Sequence, residues 1–314
     1  MENAETKGKM VFRPDDFEKL PPPSQTDAAI ARRQTTYWKD VWRTFKKNRI
    51  AVVSLIAILL LILMVLFGPM LNEFDYRTND YSALNQSPNA VHWFGTDNMG
   101  RDIWTRVWEG GRISLLIAVL ATLIPEVFGM IIGGVSGYFG GWLDTLIMRF
   151  IDVLMGIPSL IYMILLMLVF GSGSIMTLIV AMSLTGWMGS ARATRGLVLQ
   201  IKARDFVTAS ETLGAPAWWI IVKRLIPNTL GIRVVGITMS IPSVIFYEAF
   251  LSYIGLGVTP PTPSWGQLIK AAGENFRYYP YQFIIPCVMV GITMLCFNLV
   301  GDGLRDALDP KLRG

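Results

Sequence analysis

DFVTASETLGAPAWWIIVKRLIPN, Asp205 to Asn228, lies between two strongly apolar runs and is too polar to continue either of them. From Lys202 to Leu213 it contains no helix breaker, and Gly214 follows where a helix can stop in the left-handed conformation. Pro216 suits the first turn of a new helix, where its missing N–H is not needed. From Ala217 the run AWWIIVKRLI reads as helical until Pro227 ends it. The expectation is two short helices joined by a glycine hinge. Trp218 and Trp219, with Lys223 and Arg224, fit a helix lying at a membrane boundary. The same residues also fit a docking element that passes force from a cytoplasmic partner into the flanking runs, since coupling needs a body that moves as a unit.

Composition supports a membrane setting. The chain has 314 residues, 52% of them hydrophobic and only 16% charged, with a mean hydropathy of +0.45, against about a quarter charged in soluble domains. A run of roughly 18 or more apolar residues is long enough to cross a bilayer core. Such runs extend over Ile50–Leu71, Ile113–Gly134, Ile147–Phe170, Ile175–Ala193, Leu230–Leu256 and Phe283–Val300. The fold class expected is therefore all-α integral membrane with about six transmembrane helices. The first run is not a cleavable signal, because some fifty residues precede it and its apolar core is longer than a signal's roughly 7–15 residues.

Basic residues near the span ends set the orientation. Arg43, Lys46, Lys47 and Arg49 precede the first span, and Arg192, Arg195, Lys202, Arg204, Lys223 and Arg224 lie between the fourth and fifth. An even number of spans separates the two groups, so both can face the cytoplasm, as can the tail with Arg305, Lys311 and Arg313. The loop 72–112 then lies outside. The net charge of +5 follows from this arrangement and requires no nucleic-acid partner. Cys287 and Cys296 are nine positions apart on one span, a spacing that argues against a disulfide. His92 is the only histidine and reads as an ordinary surface residue, with no metal site around it.

Four further stretches carry a resemblance. They are HWFGTDNMGRDIWTRVWEGGRISL (His92–Leu115), GYFGGWLDTLIMRFIDVLMGIPSL (Gly137–Leu160), EAFLSYIGLGVTPPTPSWGQLI (Glu248–Ile269) and NLVGDGLRDALDPKLRG (Asn298–Gly314). Together with Asp205–Asn228 they resemble the oligopeptide/dipeptide branch of ABC importer permeases, and within it the subunit with a long cytoplasmic N-terminus. The signature loop of that family, E-A-A, three residues, glycine, then a hydrophobic-proline ending, maps to Thr208-Ala209-Ser210, Gly214 and Ile226-Pro227. Thr208 and Ser210 depart from it, while the glycine and proline are kept.

The resemblance implies a type I importer permease fold with both termini in the cytoplasm, in a bacterial plasma (inner) membrane. It implies a second, homologous permease, two ABC ATPase subunits that bind ATP and magnesium, and an extracytoplasmic peptide-binding protein. Asp205, Thr208, Ala209, Ser210, Glu211, Gly214, Ala215 and Pro216 become the ATPase-coupling contact, and Glu211, one turn after Thr208, is placed to stand in for the missing glutamate. The expected layout is a disordered cytoplasmic arm at 1–36, an interfacial amphipathic helix at 37–49 and a first transmembrane helix at 50–71. An extracytoplasmic loop at 72–112, a permease core at 113–304 with its coupling loop at 196–229, and a tail at 305–314 complete it. In the interfacial helix, Trp38, Trp42 and Phe45 share one side, which should lie flat on the membrane.

The chain has no G-x-x-x-x-G-K-[ST] phosphate loop, nucleophile elbow, zinc motif or dinucleotide fingerprint, so it is expected to be no enzyme, to carry no cofactor and to draw on ATP hydrolysed by its partners. Four charged residues fall inside spans, where ions are costly and usually face protein or water. Arg149 and Asp152, three apart, form a structural ion pair. Glu126 and Glu248 have no partner visible in sequence and are candidates to line the translocation path, with a buried hydrogen-bonded carboxyl as the alternative. The glycines and prolines inside the spans serve either close helix packing or flexing. Peptides are the expected solute, with nickel or another small solute as the alternative. An ion-driven carrier predicts an internal inverted repeat, which is not evident, and a scaffold without a solute path is the third class.

Overall fold

The computed structural model describes residues 37–171 and 173–308. Eleven helices follow in chain order among the described residues: α1 Tyr37–Phe45, α2 Arg49–Phe67, α3 Ile103–Phe139, α4 Gly141–Met155, α5 Ser159–Phe170, α6 Ile175–Lys202, α7 Asp205–Thr212, α8 Ala217–Ile220, α9 Ile226–Tyr253, α10 Trp265–Gly273 and α11 Pro280–Leu308. A 3₁₀ turn, Gly68–Leu71, extends α2, and a π turn, Ile221–Leu225, joins α8 to α9. Among the described residues the only β pairing is the isolated bridge between Thr96 and Asp102. The arm expected at 1–36 and the last six residues of the tail lie outside the described residues.

Among the described residues, four helical stretches are long and apolar enough to cross a membrane: Arg49–Leu71, Ile103–Phe139, Ala217–Tyr253 and Pro280–Leu308. A fifth exists if α4 and α5 count as one span, but they meet at an angle of 84°. The single straight span expected over Ile147–Phe170 is thus corrected to a bent pair. The reason lies at Gly156-Ile157-Pro158: proline disfavours the α conformation in the residue before it, and Pro158 adopts ψ 127° as the cap of α5. Continuous hydropathy concealed the corner.

Helix α3 is the axis of the bundle. Its 37 residues rise about 55 Å at 1.5 Å each, well beyond the roughly 30 Å of bilayer hydrocarbon. It packs most extensively on α6, through glycines at every fourth position. A Cβ on Gly129 would collide with Ser190, one on Gly133 with the Ala191 carbonyl, and one on Gly137 would come within 2.9 Å of Val198. Small residues at this spacing let two helix backbones approach closely where lipid offers no hydrophobic drive for association. Gly186 makes room in the same way for the Pro125 ring, 3.1 Å from where its Cβ would be.

Helix starts and stops are capped by side chains. Asp102 begins α3 by accepting the Thr105 N–H at 2.8 Å, Asn48 begins α2 through Ala51 N–H at 3.1 Å, and Ser264 begins α10 through Gln267 N–H. At the end of α2, Arg112 Nε donates to the Val65 carbonyl at 2.8 Å and Nη2 to that of Leu66. These are carbonyls that a terminating helix leaves without partners. His92 is corrected from a surface residue to a buried one: its Nδ1 lies 2.9 Å from Asp102 Oδ1, and its ring sits 4.4 Å from that of Phe74. The amphipathic segment also differs from expectation. Helix α1 ends at Phe45, and Val41 and Phe45 are buried in a cluster with Ala51, Ile58, Val300 and Leu308, so Phe45 serves the core while Trp38 and Trp42 are exposed. Cys287 and Cys296 are both free thiols.

Candidate coupling element and the buried ion pairs

Helix α7 is built as a projecting element with a single anchored side. Its N-terminal residue Asp205 sits where an acid suits the helix dipole, and Val207 and Ser210 face inward. Thr208, Ala209, Glu211 and Thr212 face outward, and Leu213 beyond them is 87% exposed. The helix terminates in a Schellman turn. Ala215 N–H donates to the Ser210 carbonyl at 3.1 Å and Gly214 N–H to that of Glu211 at 2.9 Å, with Gly214 at φ +76°. The left-handed residue closing such a turn is usually glycine, because it carries no Cβ penalty. Pro216 caps α8 in an extended conformation. The glycine hinge of the sequence reading is therefore present.

Two other expectations are corrected. The helix expected from Lys202 to Leu213 is interrupted at Ala203-Arg204, so that α7 starts afresh at Asp205. Pro227 does not end a helix, and Ala217–Tyr253 runs on as one helical stretch. The π turn makes this possible: Ile226 N–H reaches back five residues to the Ile221 carbonyl, and proline follows within the first two positions of the new α register, where its missing donor costs little. The coupling loop expected over 196–229 is accordingly helical for most of its length, its first residues forming the end of α6.

What anchors α7 also connects it to the long helices. Val207 is fully buried with Val198 of α6, and with Ile220, Ile221 and Leu225 of the α8–π–α9 stretch; Val135 and Tyr138 of α3 pack around them. Lys202 Nζ donates to the Tyr138 carbonyl at 2.5 Å and stands 5.2 Å over its ring. Glu211 interacts with the Tyr138 hydroxyl, so this acid partly faces back toward α3. Close by, Arg195 of α6 grips Asp144 of α4 with Nε and Nη2, both at 2.5 Å, while Ser136 of α3 donates to the same carboxylate. Helix α7 is thus packed through Val207 against α6 and the α8–π–α9 stretch, beside Val135 and Tyr138 of α3.

The structure gives each charged residue inside the spans a partner, some of them beyond those visible in sequence. Arg149 Nη1 is 3.9 Å from Asp152 Oδ2, but Arg192 of α6 reaches the same acid at 2.5 Å, and all three are well exposed. Glu126 is buried and held bidentate by Arg233 of α9 at 2.6 and 2.5 Å, with Arg233 also donating to Ser190 at 3.1 Å. Glu248 is fully buried, and accepts from Ser114 at 2.9 Å and Ser252 at 3.0 Å. Both carboxylates are enclosed by this chain's own helices. Arg233 was missed because 107 residues separate it from Glu126, a distance at which sequence carries no pairing signal.

The spanning-length helices and the α7–Gly214 loop are those of a helical membrane protein. Residues 127–314 match the model of the binding-protein-dependent transport system inner membrane component family, to which this chain belongs, and residues 36–88 match the N-terminal transmembrane domain of oligopeptide transport permease C. The chain is similar to the oligopeptide transport system permease protein OppC of Bacillus subtilis (strain 168), 46% identical over 284 residues that cover 90% of this chain and 93% of that one. It is 44% identical to the dipeptide transport system permease protein DppC of the same strain, covering 96% and 94%. It is 38% identical to the glutathione transport system permease protein GsiD of Escherichia coli O6:K15:H31 (strain 536 / UPEC), covering 89% and 92%. The chain is thus an inner-membrane permease subunit of a binding-protein-dependent transport system.

Proposed function

We propose that this subunit imports oligopeptides or dipeptides, forming the translocation path with a second, homologous permease. Six membrane crossings are made if the bent α4–α5 pair and α6 each cross, and both termini then lie in the cytoplasm, with α7 on the same side. Two ATPases that bind ATP and magnesium engage the outward face of α7, and an extracytoplasmic binding protein delivers the peptide. The observation that carries this reading is the α7–Gly214 element itself: a short helix exposed along Thr208, Ala209 and Leu213, yet rooted through Val207 among three long helices. A surface helix with no partner has little reason to present an almost fully exposed leucine while tying its opposite face to the whole bundle. The peptide class is supported by the relatives, which are permease proteins of oligopeptide, dipeptide and glutathione transport systems, all with peptide-bonded solutes.

In this reading the protein's contribution is mechanical. An ATPase that closes on nucleotide moves α7, and the buried Val207 cluster, the Lys202–Tyr138 contact and the Arg195–Asp144 pair transmit the movement as a body. The Glu126–Arg233 pair holds α3, α6 and α9 in register during that movement. The test is recovery of the chain from native membranes in mild detergent, followed by identification of the copurifying proteins and peptide uptake by the reconstituted complex. A second permease and ATPases with peptide uptake are expected. Transport by this chain alone would overturn the reading in favour of an ion-driven carrier, and uptake of nickel without peptide would overturn the substrate.

A further inference from the structure

Near the start of α3 the structure holds an arginine whose charge is incompletely answered. The Arg106 side chain is completely buried. Its Nη2 donates to Gln267 at 3.2 Å, while Nε and Nη1 have no hydrogen-bond partner. The acid facing it is Asp97, whose Oδ2 is 3.6 Å from Nη1. That carboxylate is already engaged: Arg101 Nε donates to Oδ2 at 2.8 Å, and Oδ1 accepts the Met99 and Arg101 N–H groups at 2.8 and 3.0 Å. Two guanidiniums therefore share one carboxylate that is itself partly exposed, leaving a net positive charge on the fully buried Arg106, and a buried charge without a partner is strongly unfavourable.

Beside the guanidinium is a cavity of about 20 Å³, lined by Arg106, Asp97, Asn98, Ile103, Leu268 and Gln282. It has room for one particle the size of a water molecule. The side chains bordering it bring the Arg106 guanidinium, the amides of Asn98 and Gln282 and the Asp97 carboxylate together with the apolar carbon of Ile103 and Leu268. A monatomic anion there can take hydrogen bonds from Arg106 Nε and Nη1 and cancel the positive charge that Asp97, already engaged by Arg101, leaves over. We propose that Arg106 and its cavity form a built-in site for a halide ion, chloride in the cell, which completes the charge balance where the loop 72–102 joins α3.

The proposal does not rest on the transported solute. It is tested on the complex purified from membranes by following thermal unfolding as chloride replaces gluconate at fixed ionic strength. A saturable rise in midpoint of about 2 °C or more is expected, and it should vanish in Arg106→Gln, which keeps a donor toward Gln267 but removes the charge. Because that variant can fail to accumulate, crystals of the wild-type complex grown in bromide supply the second measurement. Anomalous density beside Arg106 Nε and Nη1 supports the site. An unfolding midpoint indifferent to the anion, together with a cavity occupied by water only, would overturn it.

Discussion

Replacing Gly214 isolates backbone geometry from packing. Gly214 has φ +76°, and a Cβ built on it meets no atom within 4 Å. Alanine there costs nothing sterically against neighbours, so the whole penalty is that of holding an L-residue in the left-handed region, about 1–2 kcal/mol. Valine costs more, since a β-branched residue resists positive φ further. Asparagine visits this region more readily and is the expected near-neutral control. An isolated eight-residue helix is marginal in water, and 1–2 kcal/mol shifts a local equilibrium by a factor of about 5–30. The Schellman turn should therefore open in Gly214→Ala while the long helices stay folded. The assay is peptide uptake by the reconstituted complex, read beside its ATP hydrolysis and the protease sensitivity of residues 205–217. Uptake per ATP should fall about tenfold or more for valine, less for alanine, and stay near wild type for asparagine. If Gly214→Asn were as impaired as Gly214→Val, or Gly214→Val transported normally, the hinge argument would be refuted.

Glu126→Gln should destabilise the protein by about 3–5 kcal/mol, because Arg233 is left buried and charged without its partner; adding Arg233→Met should recover part of the lost membrane accumulation, and a double variant no better than the single would contradict the pairing. Gly133→Leu should abolish accumulation by forcing α3 and α6 apart, whereas the same change at Gly189, where a Cβ meets nothing within 4 Å, should be tolerated, as immunoblotting of membranes can show. A double-mutant cycle on Asp144→Asn and Arg195→Met should give a coupling of about 1 kcal/mol, kept modest because the arginine is partly exposed. Additive effects in denaturant titrations would show the pair to be energetically idle.

The glycine hinge was legible because only one residue type closes that turn cheaply, and the surrounding polarity marks it off from the spans. The long apolar runs were legible for the same kind of reason, since hydropathy is a local property. What failed was non-local or depended on backbone register. Pro227 looks like a terminator in any one-dimensional reading, and only the π turn before it shows why the helix continues. The corner at Pro158 was written in the sequence, yet hydrophobicity on both sides outweighed it. Glu126 seemed alone until α9 brought Arg233 to it, and His92 seemed exposed until Asp102 folded over it. In the coupling element itself, the residues named in advance include both the outward set, such as Thr208 and Glu211, and Ser210, which faces inward and spends its hydroxyl on the Phe206 carbonyl at 2.8 Å.

The π turn at Ile221–Leu225 also fixes the angular phase of everything beyond it. One additional residue in a turn rotates the following helix by about 100° relative to an uninterrupted α-helix. Ile220, Ile221 and Leu225 on one side of the turn, and Arg233 on the other, all point into the protein only because that rotation is built in. Removing a single residue between Ile221 and Leu225 would let a regular α-helix reach Arg233 in its present direction, whereas forcing the same residues into an unbroken α-helix would swing Arg233 by about 100° away from Glu126. The segment behaves as a fixed dial between α8 and α9. Its setting depends on the number of residues it contains as much as on their kind.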